Sequence, residues 1–324
     1  MRKYLLTAAF ALLPFGAAAQ EVTIKMGHAA SSQHLFQDGL EMFAEKVAAK
    51  TDGAIAIEVF GDRQLGDDKQ LLEGLQIGLI EGALVSSPTL PLVLGIQAFD
   101  ALQLPFAVQD YGQIAEVLGS DLGAELLATL DDKSIKGLGF VEAGQRHFLS
   151  RQPVASTADF AGLKTRIVPI PLHEATWHAV GVSPIGMAYG EVYSALETGT
   201  IDAVEINLSS VQSESLHDAA KHVTLTGHYF WPGIVMVSGR VWEGLSDEHK
   251  AALQEAAQET TAEAYAHAAA QEDDTRSYLE ANGVTVTDLS DLDRMLELTA
   301  PVVTEWSDKD PLIGKFRDAY GAGQ

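Results

Sequence analysis

Segments with the two-residue period of a strand alternate along this chain with segments that have the 3.6-residue period of a helix. The strand segments are 22–26, 54–60, 83–86, 135–141, 146–149 and 164–168, and the helical segments between them are 36–50, 67–77 and 111–130. This alternation is typical of an α/β fold with parallel strands and helices packed on the sheet. A chain of 324 residues also exceeds the usual size of one hydrophobic core, so we expect two lobes.

One predicted helix is much longer than the others. Ser246 is suited to cap its start, an Ala- and Glu-rich run continues to about residue 279, and Gly283 is suited to stop it. A helix of more than about 30 residues is long for a globular protein. We therefore expect it to brace both lobes.

The N-terminus has the features of a secretory signal peptide. Arg2 and Lys3 precede an apolar run at 5–15, and the alanines at 17–19 supply the small residues of a cleavage site. No later stretch approaches the roughly 20 apolar residues that a membrane-spanning helix needs, and there is no cysteine to carry a lipid anchor. We expect cleavage near Ala19 and free diffusion of the mature chain in the periplasm.

The charge of the chain is strongly acidic, with 45 acidic and 21 basic residues and a formal net charge of −24. Nucleic acid and anionic membrane surfaces are therefore poor partners. Against this background, basic residues concentrate at 133–166. Two of them, Arg146 and Arg166, lie in strand-like segments where a long cation would point at a buried face. Because a guanidinium pairs with a carboxylate through two parallel hydrogen bonds, this pattern favours capture of a small organic acid.

The segment YGEVYSALETGTID at 189–202 resembles a motif of the solute-binding subunits of TRAP (tripartite ATP-independent periplasmic) transporters. Three shorter segments support the resemblance in order along the chain: QLGDD at 64–68, FAGLKTR at 160–166 and LTGH at 225–228. The resemblance implies a two-lobed periplasmic-binding-protein-like α/β fold with crossing strands, an interlobe cleft and a long helix spanning both lobes. It also implies delivery of the bound acid to the membrane permease subunits of a TRAP transporter.

This plan predicts where the lobes begin and end. After a signal peptide at 1–19, we expect lobe I to contain residues 20–143 plus 232–271. Lobe II is then expected to contain residues 144–231 plus 272–324.

The resemblance also implies roles for individual residues. Arg166 matches the arginine that pairs with the ligand carboxylate, and Arg146 matches a second arginine that contacts ligand in some members. Tyr189 matches an aromatic residue that borders the ligand. The first lobe is expected to contribute polar contacts from Ser86, Asp68 and His28.

The chain departs from the family pattern directly after Glu205, where isoleucine takes the place of an asparagine found in many members. In an extended segment Glu205 and Asn207 project to the same side, so Asn207 is a candidate ligand contact in a different register. Trp231, beside the expected strand crossing, is a candidate to stack on a ligand ring; packing in the core is its alternative role.

Enzyme signatures are absent from the sequence, including G-x-S-x-G, the P-loop, H-E-x-x-H and G-x-G-x-x-G. The pairs His173/His178 and His217/His222 are each five residues apart, so neither pair shares one helical face. We therefore expect no catalysis, no metal site and no cofactor. Two alternatives stay open: an ABC-type receptor, and a secreted hydrolase without a recognisable motif.

The expected ligand is a sugar acid such as a uronate, because Arg166 favours a carboxylate and the segment near Glu205 and Asn207 offers partners for hydroxyl groups. An aromatic or a short dicarboxylic acid is the alternative, since tryptophans are available to line the cleft. Two lobes around one cleft gain contacts only when both grip the same ligand. We therefore predict a monomer that closes about a hinge.

Overall fold

A computed structural model describes residues 22–108 and 110–321, so the predicted signal peptide lies outside the described residues. The strands are β1 (Val22–Gly27), β2 (Ile55–Phe60), β3 (Gly82–Ser86), β4 (Ile135–Ser150), β5 (Lys164–Ile167), β6 (Ser183–Gly186), β7 (Ala203–Asn207), β8 (His222–Leu225), β9 (Phe230–Ser238) and β10 (Thr285–Asp288). The α-helices are α1 (Leu35–Lys50), α2 (Asp68–Gln76), α3 (Thr89–Leu94), α4 (Tyr111–Leu118), α5 (Asp121–Ala128), α6 (Pro171–Val180), α7 (Val192–Thr198), α8 (Leu208–Ser213), α9 (Gly239–Gly244), α10 (Asp247–Ala281), α11 (Leu292–Ser307) and α12 (Pro311–Gly321). Within the described ranges, no helix combines the length and apolar character needed to cross a bilayer.

The strands form two sheets that share β4. In the first lobe, β2, β1 and β3 run parallel, and β9 lies antiparallel to both β3 and β4. In the second lobe, β5 runs parallel to β6 and β7, while the far end of β4 pairs antiparallel with β7 and β8, and β10 pairs with β8. The predicted two-lobed α/β fold with crossing strands is confirmed.

β4 passes from one sheet to the other through a bulge. Its pairing with β9 runs from Ile135 to Glu142 and resumes only at Gln145, and from Arg146 onward it pairs with β7. Gly144 within the bulge has a φ of 113°, a backbone conformation that suits glycine because it has no Cβ. The segments predicted as separate strands at 135–141 and 146–149 are therefore one strand bent by this bulge.

Glu142 holds the bulge in place. Its Oε1 accepts hydrogen bonds from the backbone N–H groups of Ala143, Gly144 and Trp231 at 3.1, 2.8 and 2.8 Å. These contacts tie β4 to β9 at the point where both strands pass between the lobes. Burial raises the pKa of Glu142 to about 8, because the hydrogen bonds to its oxygen offset only part of the desolvation.

The long helix α10 connects the lobes along one side of the molecule. Ser246 caps its start by accepting a hydrogen bond from the His249 N–H, and the helix continues for 35 residues. It packs against α1, α4 and β4 on one side of the bulge and against α8 and β10 on the other. The prediction of a long helix that spans both lobes is confirmed.

The segment at 111–130 folds as two helices, α4 and α5, rather than as the single predicted helix. Ser120 starts α5 by accepting a hydrogen bond from the Leu122 N–H. Gly123 lies so close to α4 that a Cβ at this position would stand 2.0 Å from the Leu118 carbonyl oxygen. Both helices bury leucines in the same core, which is why the apolar period continues across the break.

The largest hydrophobic core fills the first lobe and extends across the junction to Val168, Ile170 and Leu172. Two smaller cores lie mainly in the second lobe, and one of them includes Phe106 from the first lobe. The junction between the lobes is therefore packed by side chains of the largest core.

Candidate ligand-binding site

A cavity of about 230 Å³ lies between the lobes, and we refer to it as the interlobe cleft. Six of the nine residues predicted from the sequence line it: Arg166, Arg146, Tyr189, Ser86, Asp68 and Trp231. Much of the remaining wall is apolar and includes Phe36, Leu92, Val168 and Met187. A mostly apolar cleft with a few convergent polar groups is the usual form of a small-molecule site.

Arg166 lies on β5 at the wall of the second lobe and is 3% exposed. Its Nε and Nη2 both donate hydrogen bonds to the Met187 carbonyl oxygen, at 3.2 and 3.0 Å. Within the part of the chain that the structure describes, no carboxylate forms an ion pair with it. Burial lowers the pKa of Arg166 to about 10, and the nearby carboxylate of Glu205 offsets this only in part. Arg166 is therefore a buried cation without a counter-ion.

Arg146 lies on β4 opposite Asn207 in β7, and its charge is already balanced. Its Nε donates to Glu205 Oε2 at 2.8 Å, and its Nη1 donates to Asn207 Oδ1 at 3.1 Å. Its guanidinium carbon lies 3.7 Å from the centroid of the Trp231 ring. Because Arg146 covers this face of the ring, that face is not available to stack on a ligand.

Glu205 and Asn207 lie behind Arg146 and are both fully buried. As predicted, they project to the same side of their strand, but the structure places both outside the lining of the cleft. Glu205 also accepts a hydrogen bond from the Tyr229 hydroxyl at 3.0 Å. Burial alone would raise the pKa of Glu205, but Arg146 and His228 outweigh it and hold the pKa at about 2. In this arrangement the two residues position Arg146 rather than meet a ligand.

The first lobe presents Asp68 to the cleft from the start of α2. Its Oδ2 accepts hydrogen bonds from the Ser86 hydroxyl, from the Ser86 N–H at 3.3 Å and from the Thr89 hydroxyl at 3.3 Å. Burial raises the pKa of Asp68 to about 6, and these hydrogen bonds offset part of that effect. The carboxyl group is therefore mostly ionised at pH 7.

Tyr189 borders the cleft from the second lobe, as expected, and meets the first lobe through Arg63. The Arg63 guanidinium carbon lies 5.0 Å from the centroid of the Tyr189 ring. Arg63 Nη2 also donates to Glu214 Oε2 at 3.2 Å, while Glu214 Oε1 accepts from the Ser31 N–H at 3.0 Å. We call these contacts of Ser31, Arg63, Tyr189 and Glu214 the rim clasp, since they join the lobes beside the cleft.

His28 is 1% exposed and is not part of the cleft lining. Its Nε2 lies 2.8 Å from Gln37 Oε1, so its polar contact is within the first lobe. Burial lowers the pKa of His28, which favours the neutral ring. The structure thus does not bring His28 together with the two arginines.

His34 lines the cleft and was not predicted. Its Nδ1 accepts a hydrogen bond from the Phe36 N–H at 3.1 Å, which leaves Nε2 to donate to Ser210 Oγ in the second lobe at 3.0 Å. Burial lowers the pKa of His34 to about 3, so the ring is neutral. Its place directly before α1 marks a helix cap in the sequence, but nothing local indicates the partner in the other lobe.

Two lobes joined by crossing strands, with a buried and uncompensated arginine in the cleft between them, define a solute-binding protein for an organic anion. The model of the bacterial extracellular solute-binding protein family 7 (DctP) matches residues 26–309. The chain belongs to this family, whose members include the solute-binding proteins of TRAP transporters, and the resemblance found in the sequence is confirmed.

Individual relatives agree with this assignment. The chain is 31% identical to the C4-dicarboxylate-binding periplasmic protein DctP of Rhodobacter capsulatus, over 98% of this chain and 92% of the relative. The sugar acid binding protein DctPAm of Advenella mimigardefordensis, solved in complex with galactonate, superposes with a TM-score of 0.87 and 26% identity, over 93% of this chain and 98% of that one. A TRAP periplasmic solute-binding protein from Bradyrhizobium, solved in complex with galacturonate, superposes with a TM-score of 0.85 and 28% identity, over 91% of this chain and 99% of that one. These relatives are binding proteins of transport systems and not enzymes.

Proposed function

We propose that this protein captures a sugar acid, such as an aldonate or a uronate, in the interlobe cleft and delivers it to the permease subunits of a TRAP transporter. The observation that carries the proposal is Arg166, a buried cation whose hydrogen-bond partner among the described residues is a carbonyl oxygen. A ligand carboxylate would replace the missing counter-ion through charge-assisted hydrogen bonds. Galactonate and galacturonate, bound to two structural relatives, carry such a carboxylate.

The hydroxyl groups of a sugar acid also find partners in the cleft. Asp68, Ser86 and His34 lie on the first-lobe side, and Ser210 lies on the second-lobe side. The Trp231 ring is held against Arg146, which supports a packing role beside the ligand rather than a fully open stacking surface. A short dicarboxylate is the second candidate, because a relative of similar length is a C4-dicarboxylate-binding protein.

Native mass spectrometry of the protein isolated from periplasm, followed by denaturation and analysis of what is released, tests the proposal. We expect one organic acid per chain. After ligand removal, galactonate or galacturonate should raise the melting temperature, since a ligand that binds only the folded state stabilises it by mass action. Stabilisation by succinate or malate with no response to any sugar acid would favour the second candidate.

Three further parts of the proposal concern the mature protein. We infer cleavage near Ala19, release into the periplasm and a monomeric state, which N-terminal sequencing and light scattering would test.

For the lobes, we propose the boundaries expected from the sequence, with one change. α12 packs against α4, α5 and the short helix Gln97–Gln103, and Lys315 forms an ion pair with Glu125 at 2.7 Å. These contacts support assigning residues 311–321 to lobe I rather than lobe II.

A further inference from the structure

We infer that Asp68 makes the interlobe cleft selective for acids with one carboxylate and a hydrogen-bond donor at the opposite end, and that it excludes dicarboxylates of the same length. This inference rests on the proposed function, because it assumes that a sugar acid occupies the cleft with its carboxylate at Arg166.

The two oxygens of Asp68 have different surroundings. Oδ2 accepts the hydrogen bonds from Ser86 and Thr89, whereas Oδ1 makes no hydrogen bond with residues 22–108 or 110–321. Oδ1 is also not among the polar atoms that the protein encloses without a partner. It is therefore an open acceptor at the cleft, suited to a ligand hydroxyl or ammonium group. An ionised carboxylate has no hydrogen to donate to it.

The charges on the second-lobe wall can balance one ligand carboxylate. Arg146 and Glu205 balance each other at 2.8 Å, so Arg166 is the buried cation that needs an anion. The net charge of this group of three side chains, Arg146, Arg166 and Glu205, is a single positive charge. The nearby rings of His173 and His228 are neutral, because burial lowers the pKa of His173 to about 3 and of His228 to about 4.

The first-lobe wall has the opposite sign. Asp67, Asp68 and Lys69 all line the cleft. Lys69 is exposed and lies 3.8 Å from Glu73, so its charge is screened by water and shared with a carboxylate of its own helix. His34, the remaining titratable ring on this wall, is neutral because burial lowers its pKa to about 3. A second ligand carboxylate would therefore stand against Asp68 without a buried cation to balance it.

Pairs of acids that differ only at one end test the inference: galactonate against galactarate, and gluconate against glucarate. Each aldarate keeps the carbon skeleton of its aldonate and replaces the terminal hydroxymethyl group with a second carboxylate. Calorimetric titration of the ligand-free mature protein should show the aldarate binding about 30-fold or more weakly than its aldonate, since like charges brought together at an interface cost several kcal/mol. A 6-deoxyaldonate, which lacks the terminal donor, should also bind more weakly than its parent.

The variant Asp68→Asn removes the charge and presents an amide N–H where Oδ1 stands, while its oxygen can still accept from Ser86 and Thr89. We expect the preference for the aldonate to fall to within about fivefold. Asp110→Asn is the matched control. It makes the same change of charge in lobe I outside the cleft lining, and asparagine still caps α4 in place of the Asp110 carboxylate, which accepts from the Gln113 N–H at 2.8 Å. This control should keep the parental preference.

Three outcomes would overturn the inference. Equal affinity of the parent protein for an aldonate and its aldarate would show that Asp68 does not select. An equal effect of both variants would assign the selectivity to the general charge of the first lobe. If neither an aldonate nor an aldarate binds, the inference fails; if galacturonate does not bind either, the proposed sugar-acid function is itself wrong. Thermal melts of both variants exclude loss of folding as the cause of any change.

Discussion

At the scale of single residues, the two cleft arginines have the same side chain, comparable burial and different charge environments. Arg146 is paired with Glu205, whereas Arg166 donates to the Met187 carbonyl oxygen and forms no ion pair with any residue that the structure describes. Removal of the Arg146 side chain and removal of the Arg166 side chain would therefore have different consequences. Loss of Arg146 would strand the Glu205 carboxylate in the interior, whereas loss of Arg166 leaves no buried carboxylate unpaired and removes two hydrogen bonds to the Met187 carbonyl oxygen.

For this reason we expect Arg166→Ala to reduce ligand affinity without reducing stability. Truncating one partner of a buried charged pair costs about 2–5 kcal/mol, so affinity should fall by roughly 30- to 4,000-fold. Arg166→Lys should restore only part of it, because a point charge cannot make two parallel hydrogen bonds. Calorimetric titration and thermal melts of both variants measure the two effects. Parental affinity in both variants, or lower stability with unchanged affinity, would contradict this role.

At the scale of structural elements, the bulge in β4 controls how the lobes are joined. The carboxyl group of Glu142, which lies at this bulge, responds to pH. Glu142 keeps its proton in the folded protein up to about pH 8, whereas in the unfolded chain it titrates near its ordinary value of about 4.3. Unfolding between these pH values releases a proton. The free energy of unfolding should therefore fall as pH rises from about 5 to 8.

The variant Glu142→Gln isolates this effect, since its amide oxygen can accept the same three N–H groups and does not titrate. Its stability should depend less on pH, and at pH 8 it should exceed that of the parent by on the order of 3 kcal/mol. Urea unfolding at pH 5, 6.5 and 8 measures the difference. Asp68 and Asp100, whose pKa values burial raises to about 6, contribute equally to both proteins. Parallel pH curves for parent and variant would show that Glu142 is not the group responsible.

At the scale of the whole molecule, the contacts between the lobes predict closure on binding. His34 donates to Ser210 across the cleft, and the rim clasp joins Arg63 to Glu214 beside it. Small-angle scattering should show a smaller radius of gyration at saturating ligand, and an unchanged radius would contradict hinge closure.

The rim clasp should also slow ligand release. Arg63→Ala is expected to weaken binding by about 2- to 10-fold, mainly through faster dissociation, since partly exposed ion pairs contribute little each. Lys46→Ala is a suitable control, because Lys46 pairs with Glu263 at 2.6 Å beside the first lobe and away from the cleft. It should leave the dissociation rate unchanged. Equal effects of both substitutions would mean that the loss of a surface charge, rather than of the clasp, changes binding.

The sequence by itself determined the features that depend on neighbouring residues. The alternation of strands and helices, the cap at Ser246 and the strand that carries Arg166 all follow from periods and caps within short segments. The motif at 189–202 identified the family, and six of nine predicted site residues line the cleft.

Only the tertiary structure decided which of these residues face the cleft and which charges are balanced. Arg146 and Glu205 are 59 residues apart in the chain, and His34 and Ser210 are 176 apart. Their contacts arise from the pairing of β4 with β7 and from the approach of the lobes, which no local pattern encodes. The same holds for the break before α5, where the apolar period continues although the chain turns at Ser120. Periodicity indicates which side of an element is buried, but the partner of a buried polar group is set by packing between distant segments.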